Sequence, residues 1–436
     1  MSRRVVVTGM GAISPLGSSI RESWSTLLGS GSGLAPLTSL PNYTTDYAPL
    51  GASIPRGLRV APITAASSNL NDIAKKLFSP QDERRMTPNI RHSLLTTQMA
   101  LESAQLLTSC NSINQDIIDL GRISTTVGVG LPPVKELYDA TVQTKINGKR
   151  LNPLFIPQIL PNMVASSISI KFNTLGPTQS IAAACATGNN SIIDGFNHIR
   201  NGYADVAIVG AVDTSLHPLT VAGFHRLKSL SPEGQSTPFD ANRDGFVIGE
   251  GAGTMVLEDL EHAQRRNAPI WAEMNSFGWT SDAYHITSPR SDSTGVSRAL
   301  QMCLKNAGVK STDIDYVNAH ATSTPVGDQA ELSAIMKTLV GSSNSRQTPL
   351  YVSSNKGAMG HLLGAAGLVE SMFTILSLNE GLIPHTLHLQ TPIVPNHTNG
   401  IHLVKNEPKV LPEIQYAICN SFGFGGVNTC ILFKKW

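Results

Sequence analysis

Short runs of β-branched and apolar residues recur along this chain, with stretches of helical spacing between them. The alternation predicts strands at residues 4–8, 125–129, 179–183, 206–212 and 253–258, and then a second series at 270–277, 316–319, 350–353, 416–420 and 429–433. Strands separated by helical stretches describe βαβ units, so the expected fold class is α/β. Two comparable series imply two similar halves, residues 1–258 and 259–436, joined after Glu258. No short-period repeat or low-complexity tract is present, which excludes solenoid and linker-rich architectures. The stretch 29–71, rich in Gly, Ser and Pro, reads as surface loops. After Cys185, Ile192, Ile193, Phe196 and Ile199 fall on one helical face able to pack on a sheet.

Composition narrows the class without naming a function. The 436 residues carry 41% hydrophobic and 15% charged residues and a net charge of +2, which fits a soluble globular enzyme and not a nucleic-acid binder. The length matches about two to three domains or one large double unit. The cysteines, five in all, form no C-x-x-C pair, so neither a disulfide framework nor a thiolate metal site is expected, and a reducing compartment fits. No apolar stretch approaches the roughly 20 residues of a membrane span. The first strand begins almost at once after Met1, which as an expectation leaves no room for a removable presequence.

Four segments carry candidate chemistry. In Ser180-Ile-Ala-Ala-Ala-Cys185-Ala-Thr-Gly-Asn-Asn190 an apolar run becomes a run of small residues, the form of a strand turning sharply into a helix. A thiol there would meet the positive end of the helix, which favours thiolate. The other reading is a small residue chosen for tight packing. The second segment, Tyr316-Val-Asn-Ala-His320-Ala-Thr322-Ser-Thr324-Pro-Val-Gly-Asp328, puts a histidine just past a strand, where α/β sheets build sites, or else a core histidine before a helix cap.

In the third, Ser353-Ser-Asn-Lys356-Gly-Ala-Met-Gly360-His361 runs on to Gly364, Gly367 and Glu370. Small residues there allow a deeply buried helix, and a buried lysine and glutamate must pair or shift their ionisation. The pair could hold the tautomer of His361, or be a structural ion pair. The fourth, Asn420-Ser-Phe422-Gly-Phe424-Gly-Gly-Val-Asn428, is a glycine-rich turn between strands. It is no phosphate cradle, because it opens a strand and the chain has no G-x-x-x-x-G-K-[ST]. The glycines from Gly245 to Gly253 lack a dinucleotide-binding setting and are assigned to strand packing.

Taken in order, these segments resemble the elongating 3-oxoacyl-[acyl-carrier-protein] synthases of type II, over the whole chain from Val5 to Phe433. Among them the fungal mitochondrial form is the nearest likeness. The resemblance implies a thiolase-like fold, two βαβαβ halves stacked as a layered α-β-α-β-α sandwich. It implies an acyltransferase that condenses malonyl-acyl carrier protein with a cysteine-bound acyl group, releasing carbon dioxide, in mitochondrial fatty-acid synthesis. Cys185 would be the nucleophile, His320 and His361 its partners, and Lys356 and Glu370 the supporting pair. Thr322 and Thr324 would hold the phosphopantetheine arm, with Phe424 as a gate and Phe422 beside it. Phe155 would line the acyl tube across a homodimer interface. Arg84, Arg85, Lys149 and Arg150 would form a basic patch for the acidic carrier protein. No metal or resident cofactor is implied.

The chain departs from the bacterial pattern at Gly128-Val-Gly130-Leu131-Pro132-Pro133 and at Val427, which puts chain-length preference in question; Ala321 after His320 is a small change that the chemistry should survive. Rival readings are a CoA-dependent thiolase-like enzyme and a non-catalytic chain-length partner subunit. Against the first, Phe422-Gly-Phe424 occupies the place of a second active-site cysteine; against the second, Cys185 and both histidines are present.

Overall fold

The computed structural model describes residues 3–64, 68–83, 85–341, 346, 348–394 and 400–436. The first series of strands is β1 (Val5–Ile13), β2 (Ile123–Val129), β3 (Thr178–Gln179), β4 (Val206–Asp213) and β5 (Gly251–Asp259). The second is β6 (Ala272–Ser281), β7 (Tyr316–Asn318), β8 (Leu350–Ser353), β9 (Ile401–Leu403), β10 (Tyr416–Gly423) and β11 (Val427–Lys435). Their hydrogen-bonded order is β9-β8-β7-β10-β11-β6-β1-β5-β4-β2-β3.

This order is a duplication. Outward from the antiparallel β1–β6 joint, each half presents the first, fifth, fourth, second and third strand of its own series, with β9 added at one edge. The directions agree as well. In each half the fifth strand is antiparallel to both neighbours, and the remaining joints are parallel.

Helices complete the layers. Helix α1 (Pro88–Ser103) and α2 (Met163–Phe172) cover the outer face of the first half; α3 (Thr187–Arg200) packs on its inner face. Helix α4 (Thr294–Ala307) and α5 (Pro325–Ile335) cover the outer face of the second half, and α6 (Ala366–Glu380) lies beside α3 in the middle layer. Both faces of each half-sheet are therefore buried, and the strands read as continuous apolar runs. In β4, Ala207, Val209 and Ala211 join the central core while Val206, Ile208 and Val212 join the outer one. The expected face of α3, Ile192, Ile193, Phe196 and Ile199, lies wholly in the central core. This is the layered α/β architecture that the resemblance implied.

Two expectations need correction. The strand expected over 179–183 pairs only at Thr178–Gln179, because the chain then leaves the ladder to form the turn that carries Cys185; the Ala183 N–H is already held by Thr187 Oγ1 at 2.9 Å. The stretch 29–71 is not merely surface. Leu37, Tyr47, Ile54, Leu58 and Val60 are buried in a cluster with Val221, Leu230, Phe246 and Ile248, the glycines and prolines marking the ends of short helical turns. Among the described residues no helix is long and apolar enough to cross a membrane.

The contact between sheet and outer helix is tightest at Gly278 of β6, where a Cβ would lie 1.8 Å from the Ala299 carbonyl oxygen of α4. Gly278→Ala is expected to lower stability by about 3 kcal/mol, measured as a drop in the urea midpoint; an unchanged midpoint would show that α4 can retreat from the sheet.

Candidate active site

The two central helices begin in the same way. A single turn, Ala184–Ala186, precedes α3, and another, Leu363–Ala365, precedes α6. In both, the first residue is forced into the left-handed region, Ala184 at φ 48° and Leu363 at φ 50°, an uncommon and strained conformation for a residue with a side chain. Cys185 follows Ala184, and Gly364 occupies the matching place in the second half. The Cys185 turn is fastened by Thr187 Oγ1, which donates to the Ala184 carbonyl at 2.7 Å, and by Ser421 Oγ of β10, which donates to the Cys185 carbonyl at 2.9 Å.

One cavity of about 340 Å³ opens at this turn. Cys185, His320, His361, Thr322, Thr324, Phe422 and Phe424 all line it, so residues spread from 185 to 424 converge. The rings of His320 and His361 stand nearly perpendicular, with centroids 5.4 Å apart. Phe422 meets His320 at 5.4 Å and Phe246 meets His361 at 5.2 Å. Thr322 and Thr324 share a hydroxyl contact of 3.1 Å, and Phe424 is partly exposed on the hairpin turn.

Behind the cavity lies the Lys356–Glu370 pair, both side chains fully buried, with Nζ donating to Oε1 at 2.5 Å. Burial pushes Glu370 up to about 7 against the pull of the Lys356 ammonium. Burial first and Lys356 second hold both histidines well below their ordinary value, so both rings are neutral at neutral pH. Nδ1 of each is buried without a partner among the described residues. A lone pair is cheaper to leave unpaired there than an N–H, so the proton belongs on Nε2.

The thiol departs from expectation. Burial pushes Cys185 up to about 12, with Lys356 drawing it down and Asp213 raising it further. The cysteine sits in the turn ahead of the helix, walled by protein except toward the cavity, and that desolvation outweighs the favourable helix end.

Other expected residues lie elsewhere. Phe155 begins the short helix Phe155–Ile159 and does not line the cavity of its own chain. Arg84 lies outside the described residues. Arg85, Lys149 and Arg150 are exposed and outside the cavity lining; Gln158 links this region by donating to the Arg85 carbonyl at 2.8 Å.

Three positioning groups escaped the sequence reading. Glu331, buried on α5, accepts from the His320 and Ala321 N–H groups at 2.9 and 2.7 Å and from Asn420 Nδ2 at 2.9 Å, tying the histidine loop to β10. A glutamate between Ala330 and Leu332 was the available signal. The Val247 carbonyl accepts the His361 N–H at 2.8 Å, and the His361 carbonyl accepts from Gly249 at 2.9 Å, so the glycine segment also fixes a histidine. Asp213, at the end of β4, is buried and raised to about 7 by that burial; it accepts from the Gly364 N–H at 3.3 Å and from Ser215 Oγ. Among the described residues there is no cluster able to hold a metal ion.

Comparison with known proteins gives consistent results. Residues 2–263 match the beta-ketoacyl synthase N-terminal domain and residues 271–390 the C-terminal domain. A 3-oxoacyl-[acyl-carrier-protein] synthase homolog of Saccharomyces cerevisiae is 51% identical over 100% of this chain and 99% of its own length. A protein of Schizosaccharomyces pombe named as a mitochondrial 3-oxoacyl-[acyl-carrier-protein] synthase is 39% identical, over 100% of this chain and 99% of its own. A beta-ketoacyl synthase from Burkholderia phymatum superposes with a TM-score of 0.84 at 29% identity, covering 100% of both chains. A type II polyketide ketosynthase solved in complex with its acyl-carrier protein superposes with a TM-score of 0.82 at 25% identity, again covering 100% of both.

Two outcomes are expected from this geometry. Iodoacetamide alkylation of Cys185, followed by intact mass, should keep accelerating above the ordinary thiol value of about 8.5, because the raised thiol is still neutral there; a plateau at or below that pH would contradict the burial argument. Lys356→Met should cost about 4 kcal/mol by stranding Glu370, and Lys356→Met with Glu370→Leu should recover most of it, both read from urea denaturation.

Proposed function

The chain belongs to the beta-ketoacyl synthase family, and from that premise we infer that Cys185, His320 and His361 perform its decarboxylative condensation. The reaction joins malonyl-acyl carrier protein to a cysteine-bound acyl group and yields 3-oxoacyl-acyl carrier protein and carbon dioxide, the elongation step of type II fatty-acid synthesis. The convergence of the three side chains on one cavity, with two threonine hydroxyls at its side, carries this reading.

In the first half-reaction Cys185 sulfur attacks the acyl thioester carbon. The thiol proton, held tightly at neutral pH, ends on the departing pantetheine sulfur, so one thioester replaces another with little net change in energy. The negative oxygen that develops is met by the backbone N–H groups of Cys185 and Phe424. In the second half-reaction the malonyl carboxylate leaves as carbon dioxide, and its electron pair moves into the thioester as an enolate. The Nε2–H groups of His320 and His361 donate to that enolate oxygen. Neutral rings suit the task, because they give hydrogen bonds without first trapping the substrate carboxylate as an ion pair. The enolate carbon then attacks the acyl-cysteine carbonyl, and the thiolate of Cys185 departs. No resident cofactor is called on.

The arm of the carrier lies along Thr322 and Thr324 beneath Phe424, and the exposed Arg85, Lys149 and Arg150 suit an acidic carrier surface. Two chains form the working unit. Among the described residues strand β3 pairs only with β2, and Ile156, Leu160, Ile170 and Leu175 are exposed near that edge of the chain, a surface that a second copy would cover; Phe155 would then reach the partner's acyl site. The S. pombe relative supports placement in the mitochondrion.

Mixing the protein with acyl carrier thioester should add one acyl mass to Cys185, and malonyl carrier should discharge it as the extended ketone. Cys185→Ser should form neither. His320→Ala and His361→Ala should slow malonyl decarboxylation by about a hundredfold or more while acyl transfer suffers less; equal loss in both half-reactions would overturn the assigned roles.

A further inference from the structure

The turns ahead of α3 and α6 are alike in backbone but differ in how they are held. In each, the third residue donates its N–H to the carbonyl just before the turn, Ala186 to Ala183 and Ala365 to Leu362, both at 3.0 Å. In each, the first residue has a positive φ, Ala184 at 48° and Leu363 at 50°. Such strain persists only where neighbouring groups hold it. The first turn holds itself, because Thr187, the first residue of α3, donates its hydroxyl to the Ala184 carbonyl at 2.7 Å. The matching place at the start of α6 is Ala366, which has no hydroxyl to give.

The remaining ties cross from one half to the other. Near the end of β10, the fourth strand of the second series, Ser421 Oγ donates to the Cys185 carbonyl at 2.9 Å. At the end of β4, the fourth strand of the first series, Asp213 Oδ2 accepts the Gly364 N–H at 3.3 Å. Each fourth strand fastens the turn of the opposite half. Among the described residues Asp213 is the one side chain hydrogen-bonded to the Leu363–Ala365 turn. Its carboxyl is fully buried, takes the Ser215 hydroxyl on its other oxygen and forms no ion pair among the described residues. An unpaired buried carboxyl is costly. What this one supplies is an acceptor for a strained turn that cannot fasten itself.

The consequence falls on His361. Its N–H and carbonyl are held by Val247 and Gly249, and only Leu362 separates it from the strained Leu363. Once the Gly364 N–H loses its acceptor, the peptide between Leu363 and Gly364 is free to turn toward an ordinary φ, and Leu362 and the His361 ring move with it. Cys185 keeps its own ties. Resting on the condensation reading, we propose that Asp213, in the first half, is a positioning residue for malonyl decarboxylation, acting on His361 through the Gly364 turn, and that Ser421, in the second half, plays the same part for acyl transfer to Cys185.

The test separates the half-reactions in the whole enzyme. Acyl transfer is read by mass as acyl-Cys185 formed from acyl carrier, and decarboxylation as carbon dioxide released when malonyl carrier meets the acylated enzyme. Asp213→Ala should slow decarboxylation about tenfold, the loss of one hydrogen bond to a charged acceptor, and leave acyl transfer within about twofold. Asp213→Asn, which still offers Oδ1 to Gly364 and an amide N–H to Ser215, should keep both rates. Adding Ala366→Ser to Asp213→Ala should restore decarboxylation, because a hydroxyl there can donate to the Leu363 carbonyl as Thr187 does to Ala184. Ser421→Ala should show the reverse pattern, with acyl transfer slowed and decarboxylation kept. Equal loss in both half-reactions, as a general weakening of the fold would give, or a full decarboxylation rate in Asp213→Ala would overturn the role of Asp213. Decarboxylation lost in Ser421→Ala would overturn the crossed arrangement. Should Asp213→Ala not fold, Asp213→Ser, polar but too short to reach Gly364, takes its place under the same expectations. A wild type that neither takes up the acyl group nor releases carbon dioxide would overturn the condensation reading instead.

Discussion

Two helices begin side by side at the centre of this molecule, and the spacing of their first turns governs everything around them. Their approach is too close for side chains. A Cβ on Gly188 would lie 2.5 Å from the Leu368 nitrogen, one on Gly367 would lie 2.6 Å from Asn189 Oδ1, and one on Gly364 would lie 2.5 Å from the Gly130 nitrogen. Glycine at these places lets α3 and α6 share one layer between two half-sheets. The same closeness brings the residues before each helix together. His361 stands three places before Gly364 and Cys185 two before the first residue of α3, so setting the helix starts in contact sets thiol and imidazole on one cavity wall.

Burial then decides the charge state of the site. It pushes the thiol up and the imidazoles down, leaving all three neutral in the resting protein. Lys356 modulates this in a consistent sense, since its charge draws the thiol down and presses both imidazoles further toward the neutral form. One buried cation thus favours the nucleophile and the hydrogen-bond donors at once. The carboxylate that pairs with it keeps that cation from standing alone in a dry interior, which would be far more costly. The site carries little formal charge before reaction and is arranged around charge that appears during it, the condition under which fixed donors act most strongly.

Much of this was legible in the residues. Nine of the ten expected strands form where expected, because β-branched runs buried on both faces leave a plain sign in the order of residues; the run at 179–183 instead leaves the ladder after Gln179. The converging segments were recognisable because Cys185, His320, His361 and the Phe422–Phe424 turn are unusual in otherwise small or apolar surroundings. What escaped depends on distant neighbours. Glu331 is one glutamate in a helix until the fold sets it against the backbone of residues 320 and 321. The thiol was assigned the wrong direction because the helix end is a local feature while desolvation comes from the whole surrounding fold. The two comparable series of strands signalled two similar halves, but the matching of their turns left no trace that a reading of residues could use, since those turns carry Cys185 in one and Gly364 in the other.

That mismatch is also the physical reason for one active site instead of two. Both turns have the strained residue and the helix behind it, and either could in principle present a side chain at its second position. In the second turn the position is closed. A Cβ on Gly364 would strike the backbone of Gly130 and approach Asp213 Oδ2 at 3.4 Å, whereas Cys185 lines the catalytic cavity. A condensing nucleophile needs room in front for the incoming thioester and room behind for the chain it already carries. Closing Gly364 against Gly130 leaves the second turn without room for a nucleophile, and the chemistry is confined to the turn that carries Cys185.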